Sequence, residues 1–236
     1  MIQFTGAHIG YKESLLEIRD LHLQKGTLYI LVGKNGAGKS TLLKSIIGQE
    51  RLLSGSLKID GEEISTLSER QIAGKLAFVR STFPPTDFLS AFDYVALGRT
   101  PYTDTFGRLN QSDREQIDRA FDLLEIRHLK NTFTTSLSDG ERQMVAIARA
   151  VAQNTSCILL DEPTAFLDYT NKARILQFLK KIAQEEEKCV VLSSHDIELS
   201  IDAACPFLLV NTNQKSLNEL PVPVQKEAVI QGAFSN

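Results

Sequence analysis

Gly33-Lys34-Asn35-Gly36-Ala37-Gly38-Lys39-Ser40 sets glycines, a lysine and a hydroxyl in the order G-x-x-x-x-G-K-S. This arrangement suits a polyphosphate. Glycines let backbone N–H groups approach phosphate oxygens and converge at a helix N-terminus. In such a loop, running on to Thr41, the Lys39 ammonium pairs with the β- and γ-phosphates and the Ser40 hydroxyl ligates Mg²⁺. Far downstream, Ile158-Leu159-Leu160-Asp161-Glu162 ends an apolar run in two carboxylates. Asp161 can hold Mg²⁺ through water, and Glu162 can orient or deprotonate an attacking water. The phosphate loop alone leaves GTPases, kinases and ATPases open. The sequence has no Asn-Lys-x-Asp element to read guanine, which disfavours GTP.

These residues need elements to position them. The segment Ile2 to Val32, split by Gly6, Gly10 and Lys25-Gly26, reads as strands joined by hairpins. From Lys39, the apolar positions Leu42, Leu43, Ile46 and Ile47 have helical spacing, with Gly48 where the helix would stop. Ile158 to Leu160 and Val190 to Leu192 are continuous apolar runs separated by a helical stretch, Lys172 to Glu187. Parallel buried strands with a crossover helix require this pattern. Between a Phe78-Val79 strand and the Cys157 strand lies a mainly helical insertion, about 87–153, including Asp113 to Leu129 and Asp139 to Gln153. The expected fold is α/β: a P-loop NTPase core over residues 1–211, with an N-terminal antiparallel β subdomain and an inserted helical subdomain. The extension 212–236 is polar and proline-punctuated, and is expected to be weakly structured.

The 26 basic residues against 29 acidic ones give a net charge of −3, so no overall positive field draws the chain to nucleic acid or anionic lipid. The longest apolar runs are strand-sized, well short of the roughly 20 residues of a spanning helix. The start, Met1-Ile2-Gln3-Phe4, lacks the basic and apolar regions of a secretory signal, so cytosolic residence is expected. Cys157, Cys189 and Cys205 are widely spaced and read as buried thiols rather than metal ligands.

Leu137-Ser138-Asp139-Gly140-Glu141-Arg142-Gln143, standing between the phosphate loop and the acidic pair, resembles the signature motif of ATP-binding cassette (ABC) ATPases. That family usually reads Leu-Ser-Gly-Gly-Gln, so the chain departs at Asp139 and Glu141. The resemblance runs from Tyr11 to about Leu199 and implies ATP and Mg²⁺ as ligands. It implies that Tyr11 stacks on adenine, that His195 hydrogen-bonds the γ-phosphate, and that Asp168 in Ala165-Phe166-Leu167-Asp168 faces a partner subunit. It also implies a head-to-tail homodimer, in which Ser138 and Gly140 of one subunit cap the ATP held by Lys39 of the other.

The family places a glutamine after the strand that here reads Leu76 to Arg80, and Ser81 stands in its place. Slower or differently coupled hydrolysis is the expected result. Asp93 to Tyr102 resembles a stretch in the ATPases of siderophore, haem and cobalamin importers, which pair with transmembrane permeases on the cytoplasmic face of the inner membrane. The aromatics Phe83, Phe88, Phe92, Tyr94, Tyr102 and Phe106 would either form a groove for a permease helix or pack the helical subdomain. Two other readings stay open: the ATPase of another transporter, and a soluble nucleotide-dependent switch with weak hydrolysis.

Overall fold

The computed structural model describes residues 1–165 and 167–234. In chain order its strands are β1 (Ile2–Gly10), β2 (Ser14–Leu23), β3 (Leu28–Gly33), β4 (Ser54–Ile59), β5 (Glu62–Glu63), β6 (Leu76–Val79), β7 (Cys157–Leu160), β8 (Cys189–Ser193), β9 (Phe207–Asn211) and β10 (Ser216–Leu220). The α-helices are α1 (Lys39–Ile46), α2 (Glu69–Lys75), α3 (Ala91–Ala96), α4 (Gln111–Leu123), α5 (Asp139–Ala152), α6 (Tyr169–Glu185), α7 (Ile197–Asp202) and α8 (Lys226–Phe234).

One sheet takes in every strand, in the order β5-β4-β1-β2-β10-β9-β3-β8-β7-β6. The β9, β3, β8, β7 and β6 neighbours pair in parallel, and β1 pairs antiparallel with β2 and β4. Successive strand residues face opposite sides of the sheet. Accordingly Ile30, Val32, Ile158, Leu160, Val190 and Leu192 enter one apolar layer with α5 and α6. Tyr29, Leu31, Leu159 and Val191 enter another with α1, β1 and β2. Burial on both faces is why the core strands read as unbroken apolar runs instead of alternating ones.

The helical insertion carries α3, α4 and α5. The stretch expected as one helix from Asp113 to Leu129 is divided: α4 ends at Leu123, Glu125 takes a left-handed φ of 58°, and a 3₁₀ turn spans Arg127–Leu129. A buried ion pair clamps the subdomain. Arg99 Nε donates to Asp113 Oδ1 at 2.9 Å and Arg99 Nη1 to the Ala152 carbonyl at 2.8 Å. Beside it, a Cβ on Gly98 would come within 2.3 Å of the Arg149 carbonyl, so only glycine lets this turn lie against α5.

The tail departs from expectation. Far from being weakly structured, it supplies β10 and α8. β10 pairs antiparallel with β9 and bridges in parallel to β2 at Ser216 and Glu17, joining the two halves of the sheet. Val229 and Ala233 of α8 are buried in the core, and Asn211 Nδ2 donates to the Gly232 carbonyl at 2.8 Å. The signal was faint because β10 buries only Leu217 and α8 is short.

Candidate nucleotide site

The buried strand β3 delivers the chain into the loop at Gly33, and α1 leaves it at Lys39. Gly36 and Gly38 take φ of 75° and 99°, a left-handed region that costs a residue with a Cβ roughly 1–2 kcal/mol. Gly38 caps α1 with no side-chain hydrogen bond, and the first turn holds no acidic residue. The positive end of the helix and its N–H groups are therefore not neutralised by a side chain, the arrangement that favours an anion. Ser40 is exposed and Thr41 half-buried at the start of α1, with Asn35 exposed and Ala37 buried in the loop.

Lys39 is 5% exposed, and its Nζ donates to the carbonyls of Gly33 at 3.1 Å and Lys34 at 3.3 Å. Burial lowers its pKa from 10.5, and the negative charges of Glu162 and Asp161 partly offset the shift. The Glu162 Oε1 lies 3.9 Å from Lys39 Nζ and 2.6 Å from His195 Nε2. Glu162 reaches this position because it turns left-handed directly after β7, at φ 49°. A strained residue at the tip of a strand, held between a lysine and a histidine, fits the pattern in which strain is retained where chemistry needs it.

Ser193, at the end of β8, organises the two carboxylates. Its hydroxyl accepts the Glu162 N–H at 2.8 Å and donates to Asp161 Oδ1 at 2.9 Å. Asp161 is anchored on the other side by its N–H, which donates to the Val79 carbonyl at 2.9 Å. Sequence reasoning gave Ser193 no role. Its signal was a hydroxyl residue at the end of an otherwise apolar strand.

The structure thus brings Lys39, Asp161, Glu162 and His195 together at one end of the parallel strands. Tyr11 is 59% exposed at the β1–β2 turn, and Leu15, the second residue of β2, lies beside Gly38. Ser138 and Gly140 belong to a different neighbourhood, the start of α5. There Ser138 Oγ donates to Glu141 Oε2 at 2.7 Å, the Ser138 N–H donates to the same oxygen at 2.8 Å, and the Glu141 N–H returns to Ser138 Oγ at 3.3 Å. This is a closed capping box. The hydrogen bond from the Ser138 hydroxyl holds the Glu141 carboxyl below its usual 4.5. Arg142 is paired to Asp139 and donates to the Leu137 carbonyl at 2.6 Å. Gly140 faces the side chain of Asn171, whose backbone N–H is capped by Asp168 Oδ1 at 2.8 Å. Phe166 lies outside the described residues.

The six clustered aromatics divide. Phe83 stacks on Tyr94 with ring centroids 4.0 Å apart, and Phe92 packs against the core. Phe88, Phe106 and Tyr102 remain 92%, 83% and 40% exposed.

The family model for ABC transporters matches residues 16–165. Together with a fold that presents the phosphate loop and the acidic pair at the ends of β3 and β7, on either side of β8, this match defines the class: the chain belongs to the ABC transporter family, among its ATP-binding cassettes. Within the family, it is 34% identical over 235 residues to an ABC transporter ATP-binding protein of Methanocaldococcus jannaschii, covering 99% of this chain and 81% of that one. An iron(3+)-hydroxamate import ATP-binding protein of Bacillus subtilis is 35% identical over 191 residues, 80% of this chain and 71% of that one. A solved structure described as a metal-chelate type ABC transporter in an inward-facing conformation superposes with a TM-score of 0.84 at 28% identity, covering 99% of this chain and 88% of that one. A dimeric ATP-binding cassette bound to ADP and Pi in a post-hydrolysis state matches with a TM-score of 0.78 at 26% identity, covering 95% and 100%. Among the described residues, no helix is long and apolar enough to cross a membrane.

Proposed function

We propose that this chain is the ATP-hydrolysing motor of an importer for metal chelates or related cofactors of the siderophore, haem and cobalamin kind, working on the cytoplasmic face of the inner membrane. The observation that carries the catalytic part is the Lys39–Glu162–His195 contact chain beside an α1 N-terminus with no side-chain cap. In this reading the N–H groups from Gly33 to Thr41 and the Lys39 ammonium hold the β- and γ-phosphates, and Tyr11 covers the adenine. Phosphate oxygens replace the carbonyls of Gly33 and Lys34 as partners of Lys39 and offset the burial that depresses its pKa. Glu162 takes the proton of the attacking water, and His195 holds Glu162 and then the γ-phosphate in place.

The Ser40 hydroxyl and the Asp161 carboxylate are hard oxygen donors, a set that fits Mg²⁺, which takes one or two protein ligands beside phosphates and water. Bound there, the ion would neutralise charge building on the transferring phosphoryl group. Ser193 fixes the Asp161 carboxylate for that purpose.

The signature residues Ser138 and Gly140 are set apart at the start of α5, which supports a homodimer in which each protomer caps the nucleotide of its partner. The exposed Phe88, Tyr102 and Phe106 supply apolar area for a transmembrane permease. The importer class rests on the names of the relatives, including an achromobactin transport ATP-binding protein of Dickeya dadantii that is 30% identical over 228 residues, 96% of this chain and 83% of that one.

Mg²⁺-dependent ATP hydrolysis and nucleotide binding, measured for the chain and for Glu162→Gln, test the reading. Turnover is expected to fall by about 10² or more in the variant while ATP binding persists. A wild-type chain that binds no ATP, or a variant with undiminished turnover, overturns it.

A further inference from the structure

The strand beside the acidic pair, β6, is gripped from α5, and two α5 side chains hold donor groups not spent on any partner. Gln143 is 5% exposed and its Nε2 has no hydrogen-bond partner among the described residues; the same is true of Arg149 Nε. Arg149 uses its Nη2 to donate to the Phe78 carbonyl at the end of β6, at 2.8 Å. Gln143 has no such outlet. An unpaired buried amide costs about 1–3 kcal/mol, a cost that persists only when something else requires the group.

Gln143 lines a cavity of about 240 Å³ whose other walls include Ser81, Thr82, Arg142, Pro163 and Leu167. Three segments of different duty meet there. Ser81 and Thr82 lie just past Val79, whose carbonyl fixes the Asp161 N–H. Pro163 directly follows Glu162, and Arg142 belongs to the segment that begins α5. The cavity of Gln143 is therefore walled by the loop after β6 and by the turn that follows Glu162.

Resting on the proposed ATPase reading, we propose that Gln143 is a positioning residue. Its amide donates, directly or through one water, to the hydroxyls of Ser81 and Thr82, and so holds the loop after β6 against the Pro163 turn and sets the placement of Glu162. A cavity of this size and polarity accommodates such a water. The bond is made in the working geometry and unmade here, so the unspent donor marks a segment with two arrangements.

Gln143→Met keeps length and volume while removing the donor. In the full chain, kcat for ATP is expected to fall about tenfold or more, as misplacement of a general base does, with KM for ATP within about twofold. The melting temperature should stay level or rise, because an unsatisfied buried donor is gone. In a Ser81→Ala/Thr82→Ala background, the added effect of Gln143→Met should shrink below about twofold. A purely structural glutamine predicts the reverse: a lower melting temperature with kcat intact in the folded fraction. Unchanged kcat, a loss of kcat that tracks a loss of stability, or a full effect of Gln143→Met in the double-alanine background overturns the proposal. A wild-type chain without turnover sinks the ATPase reading itself, whereas wild-type turnover unaltered by Gln143→Met sinks this inference alone.

Discussion

The closed capping box at α5 makes Glu141→Gln the most informative single change. Ser138 Oγ now donates to Glu141 Oε2 at 2.7 Å. If the Ser138 hydroxyl is to reach a phosphate on a partner subunit, the hydroxyl must turn between two anions. The hydroxyl has one proton and serves one anion at a time; with its oxygen roughly 2.7 Å from whichever it bonds and the other close by, carboxylate and phosphate oxygens stand about 5 Å apart. Two unit charges at that distance repel by about 3 kcal/mol at an effective dielectric constant of 20. Glu141 is half-exposed, so solvent and salt reduce this to about 1–1.5 kcal/mol. A glutamine keeps the capping geometry but carries no charge. Each dimer closes two such sites, so Glu141→Gln, in a Glu162→Gln background that slows hydrolysis, should tighten the ATP-dependent dimer roughly 30- to 100-fold. Sedimentation at rising ATP concentration reads the dimer constant, and the gap between variant and parent should narrow as salt rises. A dimer no tighter than the parent at low salt would refute the electrostatic argument. One that gains equally at high salt would assign the effect to packing.

Four further outcomes are expected. Because the Glu141 carboxyl is held below its usual 4.5, its contribution to stability is present at neutral pH and lost as pH falls through its folded pKa. Acid titration of the melting temperature should be flatter in Glu141→Gln below about pH 4.5. Ser81→Gln should quicken ATP turnover or alter its response to a co-purified permease; neither change would remove support for Ser81 as the cause of altered coupling. Breaking the buried pair with Arg99→Met should cost about 3–5 kcal/mol in urea unfolding, and Asp113→Asn in the same background should recover part of it. Deleting residues beyond Asn211 removes β10 and α8, and should lower the melting temperature by several degrees and expose the β2 edge to association.

The phosphate loop and the acidic pair were legible because their chemistry is local: spacing within a few residues dictates where N–H groups, ammonium and carboxylates point. The core strands were legible for the same reason, since burial on both faces leaves an uninterrupted apolar run such as Ile158 to Leu160. Long-range contacts were not. Nothing near Ser193 in the chain reveals that its hydroxyl sits between the Glu162 N–H and the Asp161 carboxylate. Neither does the spacing of Gln143 disclose that it shares a cavity with Ser81. β10 escaped notice because a strand with one buried side chain lacks the alternation on which strand recognition depends, and its ladder partners come from distant parts of the chain. Even within one helix the periodicity ran past its true end, where the left-handed Glu125 breaks α4.

The strand order also sets a timetable for synthesis. β3, which leads into the phosphate loop, lies between β8 and β9, so both of its neighbours are translated more than 150 residues after it begins. Until the ribosome has released residue 193, β3 has neither neighbour to pair with; the second comes only with residue 211, and β2 waits longer still for Ser216. A nascent chain stalled before residue 193 carries the whole loop from Gly33 to Thr41 and yet no site. It would display two unpaired strand edges to the folding machinery instead of a nucleotide pocket.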